Sequence, residues 1–414
     1  MNRRMLIGWA TAVVALGLTP AAYAEEPPIK IGMTMAQTGG LAGGGKPSLL
    51  GIEIWRDDIN AKGGLLGRKV ELVVYDDKSS AAETPALYSK LIDIDKVDLL
   101  FAPYATVPTA PIMPLVKQRD LLLMGNFSFQ VNSKVKHDKW FNCAPWGPAD
   151  SWATGFLGLG QKAGGKTVAL LSADQEFAQN LIKTARDVAK KMGLNVVFDQ
   201  SYPPSTAEFS GIIRALNAAK PDIVYVASYP PDSAAIMRAV NEIGVGDNVK
   251  LFGGAMVGLQ FGTVMANMGS LLNGVVNYNT WLPEPSMNFP GTKEFFEKYN
   301  KRAGEAKVDP LGFYIAPYGY AMGQMIEEAV NAQKSLDQKG IAKYLHEHTV
   351  QTIVGKITFA DDGEWKESAT VEAQFRGIKD KDIDQFRQAG KQVILFPDSL
   401  KTGDLVTPFE AARK

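Results

Sequence analysis

Gly40-Leu41-Ala42-Gly43-Gly44-Gly45-Lys46 stands between an apolar strand pattern and a helical one, where a phosphate-binding loop would stand. Such a loop reads G-x-x-x-x-G-K followed by Ser or Thr, whose hydroxyl ligates magnesium. Pro47 occupies that position and Ser48 falls one residue late, so nucleotide chemistry is not expected. The histidines offer no metal set. His346 and His348 lie two apart in a helical pattern and face different directions, and His137 is remote from them. Cys143 is the only cysteine, with no second thiol for zinc or a disulfide, and reads as a small buried apolar residue. The acid pairs Asp57-Asp58, Asp76-Asp77 and Asp361-Asp362 read as helix ends and turns. Neither a G-x-S-x-G elbow nor an H-E-x-x-H pair is present. The expectation is a protein without catalytic residues, metal or cofactor.

The elements that must carry any other site alternate along the chain. Strand patterns at 29–33, 70–75, 98–102 and 121–124 are separated by helical patterns at 47–60, 81–93 and 108–119. The order restarts after Trp152, with strands at 167–171, 195–199, 222–227 and 250–252, and helices at 176–192, 208–219 and 232–244. Helices at 290–303, 318–333 and 341–346 follow, then strands at 354–359, 371–377 and 392–396. Apolar strands alternating with amphipathic helices predict parallel sheets covered on both faces. Two such runs predict an α/β protein with two doubly wound lobes.

Composition narrows the partners. The 414 residues carry 44 Lys plus Arg against 44 Asp plus Glu, without a basic cluster, so neither nucleic acid nor an anionic membrane is expected. Arg3 and Arg4, an apolar run from Met5 to Leu18 and Ala22-Tyr23-Ala24 have the order of a secretory signal, with cleavage expected after Ala24. Later segments are too short or too polar to span a bilayer.

Ligands of open parallel sheets bind beyond the carboxyl ends of the strands. The loops predicted there are 36–45, 103–106 and 125–129 in the first run, then 173–177, 228–231 and 254–256 in the second. They mix hydroxyls, amides and aromatic rings, as small-molecule pockets do.

These loops, with "DDINAKGGLLGRKVEL" at 57–72, "PDIVYVASYPPDSAAIMRAVNEIG" at 221–244, "YGYAMGQMIEEAV" at 318–330 and "VGKITFADDGEW" near the end, carry a resemblance. From Ile29 to Trp365 the chain resembles the periplasmic branched-chain amino acid binding proteins of ABC transporters, the type I fold. The resemblance implies a periplasmic monomer with two lobes joined by three crossings, closing on a small carboxylate that it hands to permease subunits. Residues 26–145 plus 281–350 would form lobe one and 146–280 plus 351–376 lobe two, with 377–414 unplaced.

In that family the first-lobe loops hold the ligand carboxylate; they fall here on Tyr104, Ala105 and Thr106 and on Asn126, Phe127 and Ser128. The family's second-lobe acid, which meets an ammonium group, falls in 253–257, where this chain has Ala255 and Met256. Asp174 keeps the acid of another family loop, but Phe177 stands for its phenol. With Tyr229 the cleft is rich in rings, as in the family's aromatic-acid binders. The expected ligand is therefore an aromatic carboxylate without an ammonium group. An amino acid met by Asp174 or Glu176, or a sensing role beside a membrane receptor, are the alternatives.

Overall fold

The computed structural model describes residues 26–414, so the expected signal segment and its cleavage site lie outside the described residues. The chain opens as β1 (Ile29–Met35), α1 (Ala42–Ala61), β2 (Val70–Asp76), α2 (Thr84–Asp93) and β3 (Leu99–Tyr104). Short helices α3 (Thr106–Thr109) and α4 (Met113–Gln118), β4 (Leu123–Asn126), α5 (Asn132–Val135) and β5 (Trp140–Asn142) complete a parallel sheet ordered β2-β1-β3-β4-β5. The single helix expected over 108–119 is instead broken by a 3-10 turn at Ala110–Ile112. Pro108, Pro111 and Pro114 recur every third residue, and each removes a backbone donor.

The chain then crosses to a second layer. It runs through α6 (Ser151–Lys162), β6 (Thr167–Ala173), α7 (Glu176–Lys191), β7 (Asn195–Tyr202), α8 (Ser210–Ala218) and β8 (Ile223–Ser228). Next come α9 (Pro230–Ile243), β9 (Leu251–Met256), α10 (Gly262–Met268) and β10 (Val276–Asn279). It returns for α11 (Thr292–Ala306), α12 (Ala316–Gln333), α13 (Gln338–Glu347) and a hairpin of β11 (Val350–Thr352) and β12 (Gly355–Ile357). The last elements are β13 (Val371–Phe375), β14 (Gln392–Phe396) and α14 (Phe409–Ala412). The second sheet runs β14-β13-β10-β9-β8-β6-β7, parallel except where β13 meets β10 and β14. The 377–414 segment thus contributes its edge strand, and Phe409 packs on Phe252 with ring centroids 5.2 Å apart.

Burial explains why these segments hold. Every residue of β3, β8 and β9 is buried, as a sheet covered on both faces requires. In α7, Phe177, Leu181, Ile182, Ala185, Val188 and Ala189 face inward at helical spacing. Each fully buried large aliphatic side chain contributes about 1.5–3 kcal/mol.

The third crossing falls later than the 350/351 boundary expected. Trp365 Nε1 donates to the Asn142 carbonyl at 3.0 Å, and Phe359 packs on Phe141 at 5.1 Å, so the chain keeps to the first lobe through Trp365. It crosses beside the first passage, where Ala369 N and Thr370 Oγ1 donate to the Pro145 carbonyl at 3.0 and 2.9 Å.

Candidate functional site

The carboxyl ends of β3, β4, β8 and β9 face one another across the lobes and enclose a cavity with about 20 Å³ of free interior. That volume admits a water or two but not a ring. The lobes are closed: Phe129 of the first lies edge-on to Phe177 of the second, with centroids 6.2 Å apart. Leu41, Tyr104, Ala105, Thr106 and Phe127 line the cavity from lobe one, and Phe177, Tyr229 and Val257 from lobe two. Trp146, on the first crossing, and Tyr314, between α11 and α12, complete it. Six of the ten lining residues are aromatic and none is charged.

The first-lobe wall is strained backbone held by side chains. Ala105 has φ +81° and Phe127 φ +58°, conformations that residues with a Cβ rarely adopt. Thr106 Oγ1 accepts from Phe129 N–H at 2.9 Å, tying the loop after β3 to the loop after β4. Ser128 Oγ donates to Thr109 Oγ1 at 2.9 Å, which donates to the Ala105 carbonyl at 2.8 Å. The Asn142 amide spans the second loop, accepting from Ser128 N–H at 3.4 Å and donating to the Ser128 carbonyl at 2.6 Å. Phe127 is then wedged edge-on against Trp146, Tyr314 and Tyr318, with centroids at 5.0, 5.3 and 5.0 Å.

The glycine run of α1 serves this wall rather than a phosphate. A Cβ on Gly44 would sit 2.4 Å from the Tyr104 ring, so only glycine admits that ring. Lys46 donates to the Lys307 carbonyl at 2.8 Å. Asp76 Oδ1 accepts from the Gln37 and Thr38 amides, and Asp77 accepts from the Thr34 hydroxyl, so this acid pair clips the loop after β1 in place. Burial alone would raise the Asp76 pKa, but the hydrogen bonds it accepts outweigh that and hold it low.

Of the expected site residues, Tyr104, Ala105, Thr106, Phe127, Phe177 and Tyr229 come together on the cavity wall. The other five do not. Asn126 is spent on Ser48, at 3.1 Å, and the Ser128 hydroxyl is turned to Thr109. Asp174 is exposed beyond β6, and Ala255 and Met256 are buried in β9, two residues and one residue short of Val257 on the wall. Leu41, Trp146, Val257 and Tyr314 were not singled out in the sequence. The 36–45 and 253–257 loops pointed towards two of them; Trp146, on the first crossing, and Tyr314, in the connection between α11 and α12, had no local signal.

No cluster of His, Cys, Asp or Glu suited to a metal occurs among the described residues. Burial pushes the Cys143 thiol well up, and it lies 3.4 Å from the Tyr318 carbonyl, a structural position rather than a nucleophile's. A second, shallower cavity adjoins the first, sharing Leu41 and Tyr229 and bounded by Asp232. Burial raises the Asp232 pKa, and its carboxylate accepts from Tyr202 OH at 3.2 Å.

Two α/β lobes, three crossings and a closed interlobe cavity without catalytic groups define a solute trap. Residues 28–373 match the periplasmic binding protein family, and the chain belongs to it. It is a solute-binding protein of the branched-chain amino acid transporter type and not an enzyme. The chain is 25% identical over 354 residues to the Leu/Ile/Val-binding protein of Escherichia coli K12, covering 85% of this chain and 92% of that one. Its fold matches the Streptococcus pneumoniae substrate-binding protein LivJ in complex with isoleucine, with a TM-score of 0.73 and 17% identity over 89% of this chain and all of that one. It matches an R. palustris solute-binding protein in complex with benzoate with a TM-score of 0.72, at 17% identity over 89% of this chain and 95% of that one.

Proposed function

We propose that this protein is a monomeric periplasmic receptor, exported by cleavage after Ala24, that closes on a small aromatic carboxylate and delivers it to an ABC transporter permease. The observation that carries the reading is the cavity wall, with its six rings, one aliphatic hydroxyl and no charged side chain. An ammonium group desolvated there would cost several kcal/mol without a counter-charge. A carboxylate needs only hydrogen-bond donors, which Thr106, the Tyr104 and Tyr229 phenols and the first-lobe loops supply. A ring would slide between Phe127 and the Phe177–Tyr229 pair, whose centroids are 5.8 Å apart. The benzoate-bound structural neighbour is in keeping with this reading.

The rim acid Asp232 favours a second reading, an amino acid whose ammonium reaches past Tyr229 into the adjoining cavity. Its raised pKa and its bond to Tyr202 argue against that role. A thermal-shift screen of the mature protein against benzoates, phenylpropanoids, leucine and valine separates the two, since a ligand of the folded state raises Tm. A rise with aromatic acids alone is expected; a rise with leucine or valine alone would transfer the function to amino acids.

A further inference from the structure

The acid pair Asp361-Asp362 has no part in the ligand cavity, but its turn borders a second and larger space. The turn is pinned to β5. Asn142 N–H donates to the Gly363 carbonyl at 2.8 Å, and Gly363, at φ +79°, lies where a Cβ would sit 1.8 Å from the Trp140 carbonyl. This places Asp362 and Glu364 on the wall of a cavity with about 250 Å³ of free interior. The cavity lies beside the first and third crossings, and the rings of Phe129, Trp146 and Trp365 line it as well. Only Trp146 is shared with the ligand cavity.

The two acids lack a counter-charge. Glu364, half-buried, accepts from Asn142 Nδ2 at 2.8 Å and from Trp140 Nε1 at 3.3 Å. Burial raises its pKa to about 8 against those two bonds, so it holds a proton, yet none of its hydrogen bonds gives that proton an acceptor. A cation in the cavity would take the proton's place. The exposed Asp362 carboxylate accepts only the Glu364 N–H, at 3.1 Å. Neither acid forms an ion pair among the described residues, and Lys366, exposed on the same wall, forms none either.

Rings and carboxyl groups around one space favour a cation whose charge is spread over apolar surface, because ring faces attract cations and exclude water. A bare metal ion is a poorer match, since it needs more oxygen or nitrogen ligands than two carboxyls supply. An anion would meet two acids against one lysine. The free volume lies just under the range of about 300–1,000 Å³ usual for small-molecule pockets, which suits a compact head group.

We propose that this cavity beside the crossings binds an organic ammonium ion, with Phe129, Trp146 and Trp365 around its alkyl groups and Asp362 and Glu364 as its counter-charges. The inference goes beyond the aromatic-carboxylate reading and does not depend on it.

Titration calorimetry of the mature protein with choline chloride tests it, beside dimethylbutanol, the neutral isostere with carbon in place of nitrogen. Choline is expected to bind the wild type about ten-fold more tightly or better, because the neutral molecule has neither the ring attraction nor the ion pairs. Glu364→Gln should weaken choline by about ten-fold, and Asp362→Asn, at the more exposed acid, by less; both should leave dimethylbutanol unaffected. Equal affinity for the two molecules, no binding of choline, or full choline affinity in both variants overturns the site. The comparison of the two molecules needs no variant, so a variant that fails to fold leaves the test intact. Benzoate enters neither arm, so this site and the aromatic-carboxylate reading fail separately.

Discussion

The two walls of the cavity are built on opposite terms. Lobe one lines it with backbone at φ +81° and +58°, fastened by Thr106, Thr109, Ser128 and Asn142. Lobe two lines it with Phe177 and Tyr229 at the starts of helices on extended, unstrained entries, where Gln175 has φ −141° and Tyr229 φ −98°. Behind lobe one's loops every named hydroxyl is engaged; behind lobe two's rings several polar atoms are not. The first wall is set in advance for a fixed group such as a carboxylate, which keeps the ordering cost of binding low. The second adapts, because rings in edge contact slide without breaking hydrogen bonds.

The largest test of that contrast is Phe127→Ala. It removes three edge-on ring contacts and a wedge that is 4% exposed, and should cost about 3–5 kcal/mol in denaturant unfolding. Phe177→Ala should cost less, since Trp152 and Tyr229, at 5.7 and 5.8 Å, can close over the gap. Equal losses would mean that both walls are equally rigid.

Thr106→Ala and Ser128→Ala sharpen the first wall. Without Thr106 the buried Phe129 N–H loses its acceptor, at a cost of about 1–3 kcal/mol in stability, and carboxylate affinity falls as well. Ser128→Ala should lower stability by about 1 kcal/mol but leave affinity nearly unchanged, because its hydroxyl serves Thr109. The resemblance alone would assign Ser128 to the ligand, so a large affinity loss by calorimetry would restore that assignment. Ala105→Gly acts in the other direction. Relief of the φ of +81° should stabilise the ligand-free protein by about 1 kcal/mol while weakening binding, because the loop is no longer held ready. A variant with unchanged affinity would show that the strain has no part in binding.

How much of this was legible in the sequence depended on how local the signal was. The strands β1, β2, β3, β6 and β8 declare themselves as apolar runs followed by helical periodicity. By contrast β5, with Trp140-Phe141-Asn142, is too short to show a pattern. Helix α6 carries Gly155, Gly158 and Gly160, which lower its propensity; Gly155 and Gly160 allow close packing on Phe396 and Ile223. At the cavity, strand ends pointed to loops that line it, and Ala105, Thr106 and Phe127, just after β3 and β4, lie on its wall. Which side chain of a loop turns inward is set by backbone twists such as those at Ala105 and Phe127, and Asn126 and Ser128 turned elsewhere. The burial of Glu372 on β13 was invisible for a related reason: it arises from an antiparallel strand added after the third crossing.

The pH dependence concerns how the first wall is fastened to that crossing. Glu364 accepts from Asn142 Nδ2 at 2.8 Å and from Trp140 Nε1 at 3.3 Å, and Asn142 in turn holds the Ser128 loop. Burial raises this carboxyl from 4.5 to about 8; the two hydrogen bonds oppose the shift, and the charge of Asp362 adds to it. The native protein therefore keeps a proton that the unfolded chain loses. Its contribution is complete below pH 4.5, declines as the pH rises towards 8, and is lost above it. Melting temperature should fall between pH 5 and 8, with the same sign from Glu372. Glu364→Gln cannot titrate, so its melting temperature should fall less steeply. If the two slopes coincide, Glu364 is ionised throughout, and the crossing fastens the first wall by charge rather than by a shared proton.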